Sequence, residues 1–274
     1  MSASEQTLRT NQSTRRQTGV RIKSIALPAE HGGWGFLLEP IALGLLLAPS
    51  IAGVYLAFSA VALFLSRQPL TLMVLNRRRP SPRTALARKF SALYLVVGLV
   101  AFSVSIIFSE CSFILPLAIA APLGALQLIY DWSGRKRVLF AEVAGTIAIS
   151  SLAAALALAA GWPRAASFAL WAIMIARAIP SIFYVRGCLA RLHRRPASSL
   201  PIWIAHAGAL ILVVALMRAG LAPRLALAAM LILTFRSAVG FSKFRVTPKQ
   251  LGFSEIGFGA LTVLAVVCGK LLAW

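Results

Sequence analysis

The residues most suggestive of chemistry lie in the stretch "PAEHGGWGFLLEP", Pro28 to Pro40, at the start of an apolar run. Glu30 and His31 are adjacent there, and an imidazole beside a carboxylate can bind an anion or transfer a proton near neutral pH. Glu39 lies within the apolar part, where a carboxylate needs a partner, and Pro40 removes a backbone N–H from a helix. The pattern predicts His31 and Glu30 as catalytic groups, and Glu39 with Pro40 as a structural or gating element.

A membrane-interface anchor is the alternative interpretation of the same stretch. Trp34 would then lie among lipid headgroups, and Glu30 would favour the N-terminal end of the helix dipole. The glycines between them would let neighbouring helices approach closely.

A second set of polar residues follows helical spacing. Arg177, Ser181, Tyr184, Cys188 and Arg191 are separated by steps of 4, 3, 4 and 3, which keeps them on one face of a helix. A charged stripe facing lipid is costly, so this face should point into the protein. Either a carboxylate neutralises Arg177 as a structural ion pair, with Glu39 and Glu142 as candidates, or Arg177 belongs to an anion-binding site.

The composition of the chain indicates which class of protein must position these residues. The chain is 59% hydrophobic and 13% charged, while soluble domains have about 25% charged residues. This predicts an all-α integral membrane protein in the lipid bilayer. The net charge of +21 is spread between apolar runs, which argues against a nucleic-acid partner. The spacing of the three cysteines and three histidines predicts no disulfide framework, no metal site and no cofactor.

Nine apolar runs are candidates for membrane crossings, each of which needs roughly 17 to 25 residues. They lie near 34–48, 51–65, 90–108, 112–130, 138–160, 165–185, 200–217, 222–239 and 253–273. If the first two form a hairpin, all 28 basic residues except Arg164, Arg218, Arg224 and Lys270 fall on one side. The positive-inside rule then predicts a cytoplasmic N-terminus. We expect a disordered basic arm over residues 1–24 and a single transmembrane domain over 25–274.

The connections on the basic side also supply candidate anion ligands. Arginine side chains match phosphate and carboxylate groups bidentately. The sequence therefore predicts a substrate-binding set in these connections and in the sixth run, namely Arg67, Arg77, Tyr130, Lys136, Arg137, Glu142, Arg177, Ser181, Tyr184 and Arg186.

Several blocks resemble a known family. The stretches "PAEHGGWGFLLEPIALG", "RQPL", "YDWSGRKRVLFAEVAG" and "RAIPSIFYVR" are similar to the YwiC-like bacterial membrane proteins over essentially Leu27 to Ala273. That resemblance implies a polytopic helical bundle without implying a particular activity. More distantly, Tyr130, the Lys136–Arg137 pair, Glu142 and Gly145 resemble a motif of the UbiA-type intramembrane prenyltransferases, which implies a similar nine-helix bundle.

The UbiA-type resemblance also implies aspartate-rich Mg²⁺ motifs after the second and sixth helices, and these are missing from the sequence. Asp131 is the only aspartate, and arginines occupy the matching positions. A guanidinium cannot bind Mg²⁺ but can bind an anion directly. The expected function is therefore binding of an anionic amphiphile, such as a polyprenyl phosphate or a phospholipid headgroup, in a cavity open to the cytoplasmic side of a bacterial inner membrane. Group transfer on that ligand, small-anion transport and a non-catalytic assembly role stay open.

Overall fold

The structure is a computed structural model that describes residues 22–27, 31–77, 81–135, 138–243 and 247–272. The side chains at positions 23, 31, 32 and 241–243 are outside this description. The predicted N-terminal arm therefore lies outside the described residues, apart from residues 22–24.

The described residues form helices joined by short turns, in agreement with the predicted all-α class. In chain order the helices are α1 (Lys23–Ala26), α2 (His31–Leu47), α3 (Ile51–Leu75), α4 (Pro82–Ile107), α5 (Ile114–Trp132), α6 (Leu139–Ser150), α7 (Leu152–Ala159), α8 (Arg164–Leu192), α9 (Leu200–Arg218), α10 (Arg224–Lys243) and α11 (Pro248–Leu271). A short 3₁₀ turn, Cys111–Phe113, precedes α5. Helices α6 and α7 follow one another with Ser151 alone between them.

Local sequence explains where several helices begin. The Ser50 hydroxyl accepts a hydrogen bond from the Gly53 backbone N–H at 3.0 Å, and this caps α3. Capping boxes start α4 at Ser81 and α11 at Thr247, and each is followed by a proline at the first helical position. These caps satisfy backbone N–H groups that have no partner inside the helix.

Within the described residues, seven helical segments are long and apolar enough to cross a membrane, judged by length and composition. The shorter apolar helix Gly33–Leu47 and the 20-residue α10 accompany them. The chain is therefore a multi-pass membrane protein, and the predicted polytopic helical bundle is confirmed.

Helices α2 and α3 form a hairpin rather than one interrupted helix. The Trp34 and Phe64 rings are 5.3 Å apart at one end of the pair. At the other end, a Cβ atom on Gly53 would lie 3.3 Å from Leu45 Cδ2. Residues just before and just after the α2–α3 turn contact each other, and so do residues far before and far after it. Helices α2 and α3 are therefore antiparallel, as the charge distribution predicted.

Contacts between the later helices show which connections lie at each of the two ends of the bundle. Arg67 near the end of α3 contacts Asp131 at the end of α5, and Glu142 at the start of α6 contacts Arg186 near the end of α8. We call this end, which also carries the start of α2 and the α10–α11 connection, the basic end. The opposite end carries the short α2–α3, α7–α8 and α9–α10 turns, where Gly161 and Gly220 adopt positive φ.

The most buried helices lie at the centre of the bundle. In the apolar windows of Leu139–Ala159 and Arg164–Leu192, 61% and 67% of residues are buried, compared with 22% in α4 and α9. Small side chains make this centre compact, because a Cβ on Gly44 of α2 would lie only 2.6 Å from Leu156 Cβ of α7. The polar groups of α2, α6 and α8 are therefore held among packed helices rather than beside lipid.

Candidate functional site

A cluster of four charged side chains lies in the interior of the bundle. Arg177 Nε of α8 is 2.8 Å from Glu39 Oε2 of α2, and Arg177 Nη1 is 3.8 Å from Glu255 Oε2 of α11. Glu255 also pairs with Arg236 of α10. We call Glu39, Arg177, Arg236 and Glu255 the central ion cluster; it joins four helices and balances two carboxylates against two guanidinium groups.

The predicted stripe on α8 positions Arg177 in this cluster. Arg177, Ser181, Tyr184 and Cys188 are all buried, whereas Arg191 is exposed near the end of the helix. The sequence predicted this inward face and offered Glu39 or Glu142 as the partner of Arg177; the structure selects Glu39. Because α8 continues past its apolar run to Leu192, Arg177 lies near the middle of a 29-residue helix rather than close to its end.

Gly259 allows the cluster to form. A Cβ atom at this position of α11 would lie 1.9 Å from Glu39 Oε1 and 2.9 Å from Arg177 Nη2. The missing side chain lets Arg177 Nη2 donate a hydrogen bond to the Glu255 backbone carbonyl oxygen at 2.7 Å. The helix backbone thus contributes an acceptor to the cluster in addition to the two carboxylates.

Aromatic rings enclose the two guanidinium groups. The Arg236 guanidinium carbon is 4.1 Å from the centre of the Tyr184 ring and 4.8 Å from that of Phe258, and the Arg177 guanidinium carbon is 5.6 Å from that of Phe36. Ring faces attract cations, and this attraction strengthens away from water. The rings therefore help to stabilise both guanidinium groups within an apolar bundle.

Some buried polar atoms next to the cluster lack a hydrogen-bond partner among the described residues. They include Arg177 Nη1, Arg236 Nε, Glu255 Oε2 and Ser181 Oγ. Of these atoms, Arg177 Nη1 and Glu255 Oε2 lie 3.8 Å apart, so a donor and an acceptor are together where a water molecule or a small polar group could bind both.

Two further ion pairs lie at the basic end. Arg67 Nη2 donates to Asp131 Oδ1 at 3.1 Å and Arg67 Nε donates to Asp131 Oδ2, so the pair is bidentate, and Gln127 Nε2 donates to the same Oδ1 at 3.1 Å. Arg186 Nη1 donates to Glu142 Oε2 at 2.7 Å. We call Arg67–Asp131 and Arg186–Glu142 the basic-end pairs; each links two helices that are not consecutive in the chain.

The α5–α6 crossing connects the two basic-end pairs. A Cβ atom on Gly145 would lie 2.3 Å from Gln127 Oε1, so α6 packs directly on the side chain that donates to Asp131. Gly145 is one helical turn after Glu142, on the same face of α6. Helices α3, α5, α6 and α8 are therefore joined by successive side-chain contacts at this end.

The remaining predicted residues are distributed around the basic end. Arg77 is exposed in the turn after α3, and Tyr130 is partly exposed one residue before Asp131. Helix α2 begins at His31, whose side chain is outside the described part. Glu30, Lys136 and Arg137 also lie outside the described residues. Pro40 lies buried inside α2, which continues through it to Leu47.

His206 forms a hydrogen-bonded link between α9 and α10. Its Nε2 atom lies 2.8 Å from Ser237 Oγ, and its Nδ1 atom lies 3.2 Å from Thr234 Oγ1. Both ring nitrogens are therefore used in contacts between helices. Among the described residues, no group of three or more His, Cys, Asp or Glu side chains is arranged to hold a metal ion.

The sequence patterns did not predict Arg236, Glu255 or Asp131 as site residues. A signal for the first two was available, since ionisable residues inside apolar runs are costly and need partners. Asp131 had no comparable signal, because it lies at a helix end where a solvated carboxylate is ordinary.

Comparison with known proteins supports one of the two resemblances. Residues 27–157 match the YwiC-like protein family. This confirms the YwiC-like resemblance from the start of the described bundle into α7, a segment that contains Glu39, Arg67, Asp131 and Glu142. The "RAIPSIFYVR" block lies beyond the matched residues, as do Arg177 and Arg186.

No curated protein and no solved structure matches the chain. The UbiA-type relationship accordingly stays a hypothesis. The Mg²⁺ sites that it implies do not fit this chain, because Arg67 and Arg186 stand at the matching positions and each pairs with a carboxylate of another helix.

Proposed function

We propose that this YwiC-like membrane protein binds the anionic headgroup of an amphiphile at its basic end, with Arg67 and Arg186 as the principal contacts. The ligand class is a phosphate-bearing lipid, either a polyprenyl phosphate or a phospholipid, and the basic end faces the cytoplasmic side of a bacterial inner membrane. The observation that carries the proposal is that carboxylates from neighbouring helices hold both arginines at this end while both side chains stay partly exposed.

The basic-end pairs support the proposal through preorganisation. Asp131 occupies one edge of the Arg67 guanidinium, and the Arg67 side chain remains 24% exposed. Glu142 contacts one nitrogen of Arg186, whose side chain remains 40% exposed. A guanidinium held by one carboxylate loses less side-chain entropy when it binds a second anion. Asp131 and Glu142 are therefore positioning residues for the two arginines.

The surrounding charge supports the same ligand class. Exposed cations on the connections and helix ends at the basic end include Arg77, Arg83, Lys89, Arg135, Arg194 and Lys249. Asp131 and Glu142, the acidic groups described at these connections, already have arginine partners. The end is thus strongly positive, and each basic residue near a membrane surface attracts anionic lipid by about 1 kcal/mol.

Glu30 and His31 extend the proposal from binding to chemistry. Helix α2 begins at His31 on the basic end, and the unpaired N–H groups of a helix start attract anions. His31 would protonate or deprotonate the bound headgroup, and Glu30 would orient its imidazole. This part is tested separately. His31→Gln should leave lipid retention within about twofold while abolishing any transfer in which water or an alcohol attacks the phosphate, gives its proton to His31 and displaces the lipid alcohol.

Lipid retention tests the binding proposal directly. Arg186→Ala and Arg67→Ala should each lower the amount of anionic lipid that copurifies by about tenfold, since a hydrogen bond to a charged group contributes about 1.5–3 kcal/mol. Arg186→Lys should restore only part, because lysine lacks the planar fork. The measurement is native mass spectrometry of protein released from micelles containing phosphatidylglycerol.

The matched control is Arg164→Ala, which removes an exposed arginine from the opposite end of the same helix α8. It should leave lipid retention unchanged. Equal retention by Arg186→Ala, Arg67→Ala and Arg164→Ala would refute the proposal.

Transport of a small anion is a second candidate, favoured by the central ion cluster. Charged residues near the middle of transmembrane helices often mark ion and proton pathways. Purified protein in liposomes should then take up radiolabelled phosphate faster than empty liposomes, and Arg236→Ala should abolish the difference. Headgroup retention without uptake would leave binding as the function.

A further inference from the structure

A separate cleft lies at the opposite end of the bundle, away from the central ion cluster and the basic-end pairs. It has a volume of about 450 Å³ and is formed where α9 ends, α10 begins and α11 ends. Met217, Ala222, Arg224 and Lys270 are among its lining residues. None of these residues takes part in the function proposed above.

The cleft contains basic residues, although most basic residues of the chain lie at the other end of the bundle. Among the residues that the structure describes, four basic residues fall at this end. Two of them, Arg224 and Lys270, line the cleft, and a third, Arg218, directly follows the lining residue Met217. From residue 200 to the C-terminus the only acidic residue is Glu255, which belongs to the central ion cluster. The one carboxylate side chain on the three helices that form the cleft is therefore Glu255, which pairs with Arg177 and Arg236 in the central ion cluster.

Close packing holds the two cations on the same cleft. A Cβ atom on Gly269 would lie 2.6 Å from Pro223 Cβ, so α11 contacts the α9–α10 turn without an intervening side chain. Lys270 follows Gly269 and Arg224 follows Pro223, so this contact brings the two cationic residues into one place. Gly220, with φ of 70°, makes the sharp turn that starts this connection.

Helix α10 adds to the attraction for an anion. The helix is 20 residues long and begins at Arg224, so its N-terminal partial positive charge lies at the cleft. Two cationic side chains, a helix start and a recess of this volume are together suited to a phosphate group, which offers several strong acceptor oxygens.

We infer that this cleft is a second anion-binding site, which takes a phosphate group between Arg224 and Lys270. Two sources carry that chemistry at a membrane surface: the headgroup of a phospholipid in the leaflet at this end, and free inorganic phosphate. The site is independent of the basic-end function, because it shares no residue with it and lies across the bundle.

The experiment uses the full chain in neutral maltoside micelles, with two binding arms. One arm titrates inorganic phosphate, and the other titrates phosphatidylglycerol in mixed micelles; native mass spectrometry counts the adducts. The test variant is the double substitution Arg224→Gln with Lys270→Gln. Arg164→Gln, an exposed arginine at the same end that is outside the cleft lining, is the matched control.

The double variant should weaken binding of inorganic phosphate or of phosphatidylglycerol by about tenfold, depending on which of the two the cleft binds. Arg164→Gln should weaken neither. A loss in the phosphate arm supports a free anion, and a loss confined to the lipid arm supports a headgroup. Unchanged adducts in both arms, or an equal loss in Arg164→Gln, would overturn the inference. The single variant Lys270→Glu, on a partly exposed side chain, repeats the test if the double variant folds poorly.

The same assay separates this inference from the basic-end proposal. Arg186→Ala should leave binding at the cleft unchanged, and the Arg224 and Lys270 variants should leave Arg186-dependent lipid retention unchanged. If binding depends on Arg186 but not on Arg224 and Lys270, the cleft proposal is wrong. If it depends on Arg224 and Lys270 but not on Arg186, the basic-end proposal is wrong.

Discussion

Arg177→Ala should lower the free energy of unfolding by about 3–5 kcal/mol, the largest effect that we expect from a single truncation in this protein. Arg177 is 1% exposed and contacts both Glu39 and Glu255. Its removal leaves Glu39 buried without a counter-charge and Glu255 with Arg236 alone. The measurement is reversible unfolding in mixed micelles, followed by circular dichroism.

Arg164→Ala is the matched control for this prediction, because it makes the same substitution at an exposed position of the same helix. It should change the unfolding free energy by less than about 0.5 kcal/mol. A double variant, Arg177→Met with Glu39→Gln, removes both charges of the pair and should recover at least half of the loss. If Arg177→Ala were as stable as Arg164→Ala, the central ion cluster would not stabilise the bundle.

Gly259→Ala should destabilise the protein by about 2–3 kcal/mol, although it adds only one methyl group. The new Cβ would lie 1.9 Å from Glu39 Oε1, so the carboxylate would have to move away from Arg177. Both side chains are enclosed by helices, which leaves little room for that movement. The loss should appear in the same unfolding measurement as for Arg177→Ala.

Gly257→Ala supplies the control on the same helix. Gly257 is exposed, and a Cβ atom there would meet nothing within 4 Å. Alanine favours a helix over glycine by about 1 kcal/mol, so this variant should be as stable as the unmodified protein or slightly more stable. A Gly259→Ala variant that unfolds at the same point as Gly257→Ala would show that the close approach at Gly259 is not required.

Both effects are expected because the central ion cluster links helices that are far apart in the chain. Glu39 lies on the first long helix and Glu255 on the last, and Arg177 of α8 contacts both. Contacts of α11 with α2 through Gly259 therefore depend on a charge supplied by a third helix. Arg177, which the sequence predicted as a ligand-binding residue, has two carboxylates and a backbone carbonyl as its described polar partners, so a stabilising role accounts for its contacts.

We expect the Arg186–Glu142 pair at the basic end to contribute less to stability than the central ion cluster. Arg186 and Glu142 are 40% and 32% exposed, so breaking their pair should cost little stability. Their substitution should instead change ligand retention. A variant set that includes Arg177→Ala and Arg186→Ala thus separates the stabilising role expected of Arg177 from the ligand contact that we propose for Arg186.

The sequence by itself determined the class of the protein and the order of its helices. Apolar runs, basic connections and the stripe on α8 are properties of short segments, because hydrophobic burial and helical periodicity act over a few turns. The hairpin of α2 and α3 followed from charge, since only that arrangement brings the basic connections to one side. The inward position of Arg177, Ser181 and Tyr184 followed from the cost of exposing them to lipid.

Only the tertiary structure decided which charges meet. Glu39 and Glu142 were both candidate partners of Arg177, and the packing of α2 against α11 and α8 selected Glu39, while Glu142 contacts Arg186. Glu255 reaches Arg236 because α10 and α11 are antiparallel neighbours. Gly259 has no side chain, which leaves room beside α11 for Glu39 and Arg177. A sequence shows which charges need a partner, but the choice among partners far apart in the chain depends on which helices pack together, and that is set by side-chain shape across the whole bundle.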